Sequence, residues 1–242
     1  MGTPEFAAVC LERLLGGPHP IGLVVTQADR PAGRGHKLRP SPVKELALDH
    51  GIELLQPLSV RDEDFIAAFT HAAVDLAVVV AYGKILPSNI IDCPRLGCIN
   101  AHASLLPALR GAAPIERAIL EGYDQTGVTI MRINQAMDAG DLLSSRAVAI
   151  TADCDGGSLR AALALVAADL LESAINDIAC GRAHFTAQDH TQATYAPPLS
   201  SADARIDWSR SAVEIDRQVR ALRPRPGAFA FHDGTRVKIL AG

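Results

Sequence analysis

The stretch GCINAHASLLPALRGAAPIERAI, Gly97–Ile119, holds a whole strand–turn–helix unit. Cys98–His102 is short and largely apolar, as expected of a strand covered on both faces. Ser104–Pro107 leave it as a turn. Gly111–Pro114 lead into a helix over Pro114–Glu121. The period of two puts Asn100 and His102 on the same face of the strand. An amide donor beside an imidazole, which can donate, accept or shuttle a proton near neutral pH, is an active-site arrangement at a strand's carboxyl end. A satisfied polar pair at a strand end is the other reading of the same two residues.

Outward from this unit the pattern repeats. Ile21–Thr26, Leu76–Ala81, Val128–Ile133 and Ala147–Ile150 read as further buried strands. Helical patterns run over Pro4–Leu15, Pro42–Asp49, Asp62–His71 and Ser158–Cys180, the last with Gly181 at the position after its C-cap. Alternating strands and helices predict an α/β fold with a doubly wound, mostly parallel sheet, in which ligands bind beyond the carboxyl ends of the strands. The division expected is residues 1–181 as one domain, a polar linker over 182–200 containing Pro197 and Pro198, and the start of a second unit over 201–242. That unit has a helix at Ala212–Ala221 and a hairpin turning at Asp233–Gly234. A hairpin and one helix do not make a stable domain, so the second unit reads as incomplete.

Composition agrees with a packed core. The 242 residues are 48% hydrophobic and 21% charged, which excludes disordered, collagen-like and coiled-coil chains. The aromatic share of 4% leaves the core to Ala, Val, Ile and Leu. A net charge of −4 argues against a uniformly basic nucleic-acid surface while leaving room for a local patch. The five cysteines, Cys10, Cys93, Cys98, Cys154 and Cys180, show no metal-ligand spacing, so no metal is expected and reduced thiols are. No signal peptide and no run long enough to cross a bilayer is visible, which predicts a cytoplasmic protein without membrane contact.

Two more stretches carry chemistry. In Gln135–Asp141 (QAMDAGD), Asp138 and Asp141 flank Gly140 in a tight loop, and a carboxylate there could face Asn100 and His102 across a crevice. Asn, His and Asp together suit attack of an amine on a carbonyl: one group for the oxyanion, one for the proton, one to orient or activate. Asp29–Lys44 (DRPAGRGHKLRPSPVK) sets Arg30, Arg34, Lys37, Arg39 and Lys44 against one acid. Its prolines and glycines forbid regular structure over most of it, and its charge points to a phosphate or anionic-polymer partner.

Taken in order, GTPEFA, TQADRPAGRGHKLRPSPVK, VVVAYGKILP, GCINAHASLLP, RGAAPIERAI, TGVTIM, MDAGD, YAP, ARIDWSRSA and VRALRPRPGA resemble the methionyl-tRNA formyltransferases over essentially the whole chain. The Asn-x-His pair, SLLP and a later Asp mark the wider group of folate-dependent formyltransferases. The DRPAGRG loop and RGAAPI narrow it. The resemblance implies transfer of a formyl group from 10-formyltetrahydrofolate to the α-amine of methionine on initiator tRNA, by a monomer. It places Asn100, His102 and Asp141 in the catalytic positions. It places Ser104, Leu105, Leu106 and Pro107 in the folate-binding loop, and Arg34, Lys37 and Arg39 against the acceptor stem. A formyltransferase acting on a sugar nucleotide or on glycinamide ribonucleotide would share the trio but gives no reason for the basic loop.

The chain departs from the family's pattern at Ala139, at Ala108–Leu109 and at Pro198. The resemblance further implies an apolar strand ahead of Gly2 and a β-barrel continuing beyond the hairpin. Truncation at both ends would make the chain as written a poorly folded, weak or inactive remnant.

Overall fold

Val24 and Val25 show how the sheet is covered: Val24 packs into one apolar cluster and Val25 into another on the opposite face. The same alternation sends Ala77 and Val79 to one side and Val80 to the other, and Cys98 to one side with Ile99 and Ala101 to the other. The computed structural model describes residues 1–32 and 37–241. In chain order the elements are α1 (Glu5–Leu15), β1 (Val24–Val25), β2 (Arg30–Ala32), β3 (Lys37–Arg39), α2 (Pro42–Asp49), β4 (Leu54–Leu55), α3 (Glu63–His71), β5 (Ala77–Val79) and α4 (Ser88–Ile91). Then follow β6 (Cys98–His102), β7 (Arg110–Gly111), α5 (Pro114–Leu120), β8 (Gln125–Arg132), β9 (Leu142–Ala149) and α6 (Gly156–Ala179). Phe6 and Cys10 of α1, Val43 of α2 and Leu163 and Leu171 of α6 cover one face; Phe65 and Phe69 of α3 and Ile90 of α4 cover the other.

Local chemistry sets the helix ends. Ser41 caps α2 by accepting from Lys44 N at 3.1 Å, with Pro42 at the first helical position. Asp155 and Ser158 form a capping box that starts α6 at Gly156, two residues before the expected Ser158. Pro4, expected inside the first turn of α1, is its extended N-cap.

The sheet is mixed. β5, β6, β8 and β9 form a four-stranded sheet in that order, with β5–β6 parallel and both β6–β8 and β8–β9 antiparallel. β1 and β4 form a separate parallel pair. A loop rather than a crossover helix joins β8 to β9, and such a direct reversal makes antiparallel neighbours. So the α/β class with helices on both faces holds, while parallel pairing is confined to part of the sheet. Met1 and Gly2 stitch the two sheets together. Gly2 N donates to Val25 O at 3.0 Å, Val80 N donates to Met1 O at 2.9 Å, and the Met1 amine donates to Val78 O at 2.7 Å. Only glycine fits at position 2, where a Cβ would lie 2.5 Å from Ala7 Cβ and 2.8 Å from Val80 O. A cavity of about 470 Å³ opens beside this junction, lined by Cys10, Leu14, Leu23, Val78 and Ile175 among others.

Two expectations about irregular segments are corrected. The ends of the basic stretch are regular: β2 and β3 pair antiparallel, Arg30 opposite Arg39 and Ala32 opposite Lys37. Residues 182–200 are no free linker. Thr186 bridges to Leu142, a 3₁₀ turn spans His190–Gln192, and β10 (Tyr195–Ala196) pairs parallel with β7. Unpaired backbone groups over the long crossing from α6 are satisfied on the body of the protein instead of in water.

The last stretch contains α7 (Ser201–Ala204), α8 (Ala212–Ala221), β11 (Phe229–His232) and β12 (Thr235–Lys238). Ile206, Val219, Leu222 and Phe229 make a small core of their own. Arg117 of α5 bonds Asp203 of α7 at 2.9 Å, and Arg220 of α8 donates to Cys154 O at 2.9 Å, so this unit is fastened to the first. β11 and β12 form a two-stranded sheet, and among the described residues no closed barrel forms. Asp233 and Gly234 both have positive φ, as the hairpin turn requires.

Candidate functional site

β6 presents Asn100 and His102 on the same face, as the period of two demands, while Ile99 and Ala101 face the larger core. His102 is only 6% exposed. Its Nε2 lies 2.9 Å from Leu109 O. A carbonyl can only accept, so Nε2 carries a proton and Nδ1 is left for the site. Nδ1 lies 3.6 Å from Asp138 Oδ2. Asn100 is partly exposed, and its side-chain amide has no hydrogen-bond partner among the described residues.

Asp138, not Asp141, faces His102. The expectation of Asp141 presumes strands whose carboxyl ends converge. In the mixed sheet, however, β8 runs against β6, so Arg132 at its end lies opposite Ile99 and not opposite His102. The loop between β8 and β9 has to double back over about 10 Å, three residues at roughly 3.3 Å each, to reach His102. The residue at its tip does so. Asp138 Oδ2 accepts from Gly111 N at 2.8 Å, which ties the loop to β7. Asp138 adopts a φ of +50°, a left-handed conformation that aspartate tolerates better than most side chains. Asp141 is exposed at the start of the returning strand, with its carbonyl accepting from Arg132 N at 2.8 Å. Gly140 permits the reversal: a Cβ there would lie 1.8 Å from Arg132 O.

The turn after β6 is held from within the protein by hydroxyl groups. Thr129 Oγ1 donates to Ser104 O at 2.7 Å and accepts from Leu106 N at 3.1 Å. Ser104 is buried, with its hydroxyl donating to Ala108 O at 2.6 Å, and Leu106 is buried too, so these two side chains shape the expected folate loop from within. Leu105 and Pro107 remain partly exposed. Leu109, buried with a φ of +58°, aims its carbonyl at His102. Thr194 holds it there, accepting from Leu109 N at 2.8 Å through Oγ1 and from Arg110 N at 2.9 Å through its carbonyl. Behind the Asp138 loop, Gln188 and Arg110 are buried and hydrogen-bonded to each other. Gln188 and Thr194 lie outside every motif the sequence offers, and Arg110 and Thr129 lie in RGAAPIERAI and TGVTIM without a local pattern that gives them this task. Only the order of segments in space brings them here.

Of the basic residues, Arg34 and the side chain of Lys37 lie outside the described residues. Arg39 is exposed on β3. Lys44 is engaged by Asp29 at 2.7 Å, and Gln56 donates to the other carboxylate oxygen at 2.8 Å. These bonds, the one from Lys44 first, hold the Asp29 carboxyl below its ordinary range. Among the described residues no group of three or more His, Cys, Asp or Glu could hold a metal, and no helix is long and apolar enough to cross a membrane.

Comparisons with known proteins place the chain in a family. Residues 1–175 match the formyl transferase family model and residues 198–242 match its C-terminal domain model. The methionyl-tRNA formyltransferase of Pseudomonas paraeruginosa is 51% identical over 239 residues, covering 99% of this chain and 77% of that protein. That of Desulfotalea psychrophila is 46% identical over 240 residues, 99% of this chain and 74% of the relative. Among solved structures, the N-formyltransferase of Helicobacter canadensis, in complex with folinic acid and dTDP-3-aminofucose, superposes with a TM-score of 0.73 at 18% identity, covering 99% of this chain and 84% of that one. At that identity it supports the fold alone.

Proposed function

This chain belongs to the formyl transferase family, and from that membership we propose that it transfers a formyl group from 10-formyltetrahydrofolate to the α-amine of methionine on initiator Met-tRNA. The observation that carries the reading is the disposition of His102: Nε2 is fixed on Leu109 O, and Nδ1 is turned to Asp138 on the same strand face as Asn100. Relatives at about half identity over nearly the whole chain narrow the acceptor to Met-tRNA.

The donor set fits the formyl group. The folate supplies a carbonyl already activated on nitrogen. Asn100, whose amide has no protein partner among the described residues, donates to the carbonyl oxygen as charge gathers there. His102 presents Nδ1 to the same centre, 3.6 Å from the Asp138 carboxylate. Asp138 also takes the proton of the attacking amine, through water. The new bond joins the amine nitrogen to the formyl carbon, the bond to the folate nitrogen breaks, and the proton ends on that leaving nitrogen. Leu105 and Pro107 flank the folate. Arg34, Lys37 and Arg39 are the residues proposed to meet tRNA phosphates, and the exposure of Arg39 on β3 supports this. The test is a single-turnover formylation assay with Met-tRNA and with an amino-sugar nucleotide as competing acceptors. Formylation of the sugar in preference to Met-tRNA would reject the reading.

A further inference from the structure

We infer that Gln188 is a positioning residue that holds Asp138 against His102, with Arg110 as its anchor. This rests on the catalytic reading above and adds the device that sets its geometry. Gln188 is 6% exposed and belongs to the segment after α6 that pairs with β7. Its Nε2 donates to Asp138 O at 3.0 Å and to Gly140 O at 2.7 Å, one hydrogen for each carbonyl. Its Oε1 accepts from Arg110 Nε at 3.2 Å and Nη2 at 2.6 Å. The amide orientation is fixed by chemistry: carbonyls only accept and a guanidinium only donates, so a flipped amide would leave both ends facing like groups. Arg110 is itself 4% exposed, and its Nη2 lies 2.9 Å from His190 Nδ1.

The network has a task. The loop from Arg132 must fold back over the sheet, and Asp138 sits at its tip with positive φ. The side chain is tied by Gly111 N at 2.8 Å, but that bond alone leaves the tip's backbone free to pivot. Gln188 bonds two carbonyls at the tip, those of residues 138 and 140. A clamp on two carbonyls fixes where the Asp138 Cβ points, and so fixes the 3.6 Å approach to Nδ1. An error of about 1 Å in such an approach can cost on the order of a hundredfold in rate.

A double-mutant cycle of Gln188→Leu and Asp138→Asn tests this, with kcat, both KM values and the ¹⁵N shift of His102 Nδ1 as readouts. Gln188→Leu is expected to lower kcat by roughly 10- to 100-fold with both KM values within about twofold. It should move the Nδ1 resonance in the direction that Asp138→Asn moves it. The double variant should be no slower than Asp138→Asn alone by more than about threefold, because the two act through one contact. Effects that multiply, a kcat within about twofold of wild type, or a rise in one KM at constant kcat would each overturn the inference. If Gln188→Leu does not fold, Gln188→Glu keeps the shape and the acceptor for Arg110 but loses both donors, and it must reproduce the loss in kcat. A fully active Asp138→Asn would reject the catalytic reading itself, and this inference with it. A slow Asp138→Asn with multiplying effects would reject this inference only.

Discussion

His102 Nδ1 and Asp138 Oδ2 lie 3.6 Å apart although their strands end on opposite sides of the sheet. The loop's return makes the contact, and the Gly111 N–H at 2.8 Å from the same oxygen holds the carboxylate as an anion-seeking bond would. Asp141, three residues on, is exposed and stands immediately before β9, which runs away. Asp138→Asn should therefore lower kcat by roughly 10²–10⁴-fold, the usual range for a positioned proton-transfer group. Asp141→Asn should stay within about twofold of wild type. Steady-state formylation rates for the two variants decide between the carboxylates, and a reversed order would restore Asp141.

Thr129 has no exposed surface and spends its one hydroxyl on two bonds, to Ser104 O at 2.7 Å and from Leu106 N at 3.1 Å. Thr129→Val keeps the shape and orphans both partners, each a buried backbone group. The expected loss is about 2 kcal/mol, within the range for an unsatisfied buried group. Thr129→Ser keeps the hydroxyl and should lose less than half as much. Urea unfolding of both variants measures the difference, and equal losses would mean that the methyl packing rather than the hydroxyl matters.

How much of this is legible beforehand follows from what a sequence encodes locally. Cys98–His102 and Pro42–Asp49 are set by apolar runs and caps within their own span and stand where periodicity places them, while the strand expected over Ile21–Thr26 is shortened to Val24–Val25. Asn100 and His102 share a face because the strand period is local too. The choice between Asp138 and Asp141 is not local. It depends on β8 running antiparallel to β6, which short apolar runs do not reveal. Gln188 and Thr194 fall in a stretch without period, and their task lies in residues about fifty to eighty positions away, to which only the folded chain brings them. The basic stretch reads as irregular because its prolines and glycines mask the short pairing of β2 with β3.

Arg39 stands exposed on that hairpin, in line with a role outside the protein's own packing, whereas Lys44 is already spent on Asp29. Arg39→Glu is expected to weaken Met-tRNA binding and to flatten its dependence on salt, by about 0.7–0.9 in the log–log slope for each phosphate that is no longer neutralised. Folate binding should be unchanged. Lys44→Glu should instead cost stability, by leaving Asp29 beside a second acid. Filter binding of Met-tRNA across a salt series separates the two variants, and an unaltered slope for Arg39→Glu would remove this residue from the tRNA surface.

Asp203 is the group whose titration should be visible in the stability of the chain. Burial works to raise its carboxyl. It is outweighed by bonds from Ser200 N at 2.8 Å, Ser200 Oγ at 2.7 Å and Arg117 Nη1 at 2.9 Å, which together hold it at about 2 against an ordinary 3.8. A carboxyl with a depressed folded value favours folding above its unfolded value and loses that contribution as protons bind on the way down. The window is therefore about pH 4 to pH 2. At about 1.4 kcal/mol per unit the shift corresponds to about 2.5 kcal/mol at neutral pH, and screening at the side chain's 22% exposure leaves about 2 kcal/mol of it. Asp203→Asn should lower stability at pH 7 by about that much, and the gap to the unaltered protein should close as pH falls through the window. Arg117→Met, which removes one of the three donors, should show a smaller gap over the same range. Urea midpoints measured at pH 7, 4, 3 and 2 follow the gap directly. A gap that stays constant down to pH 2 would mean that the charge on Asp203 contributes nothing to fastening α7 to α5.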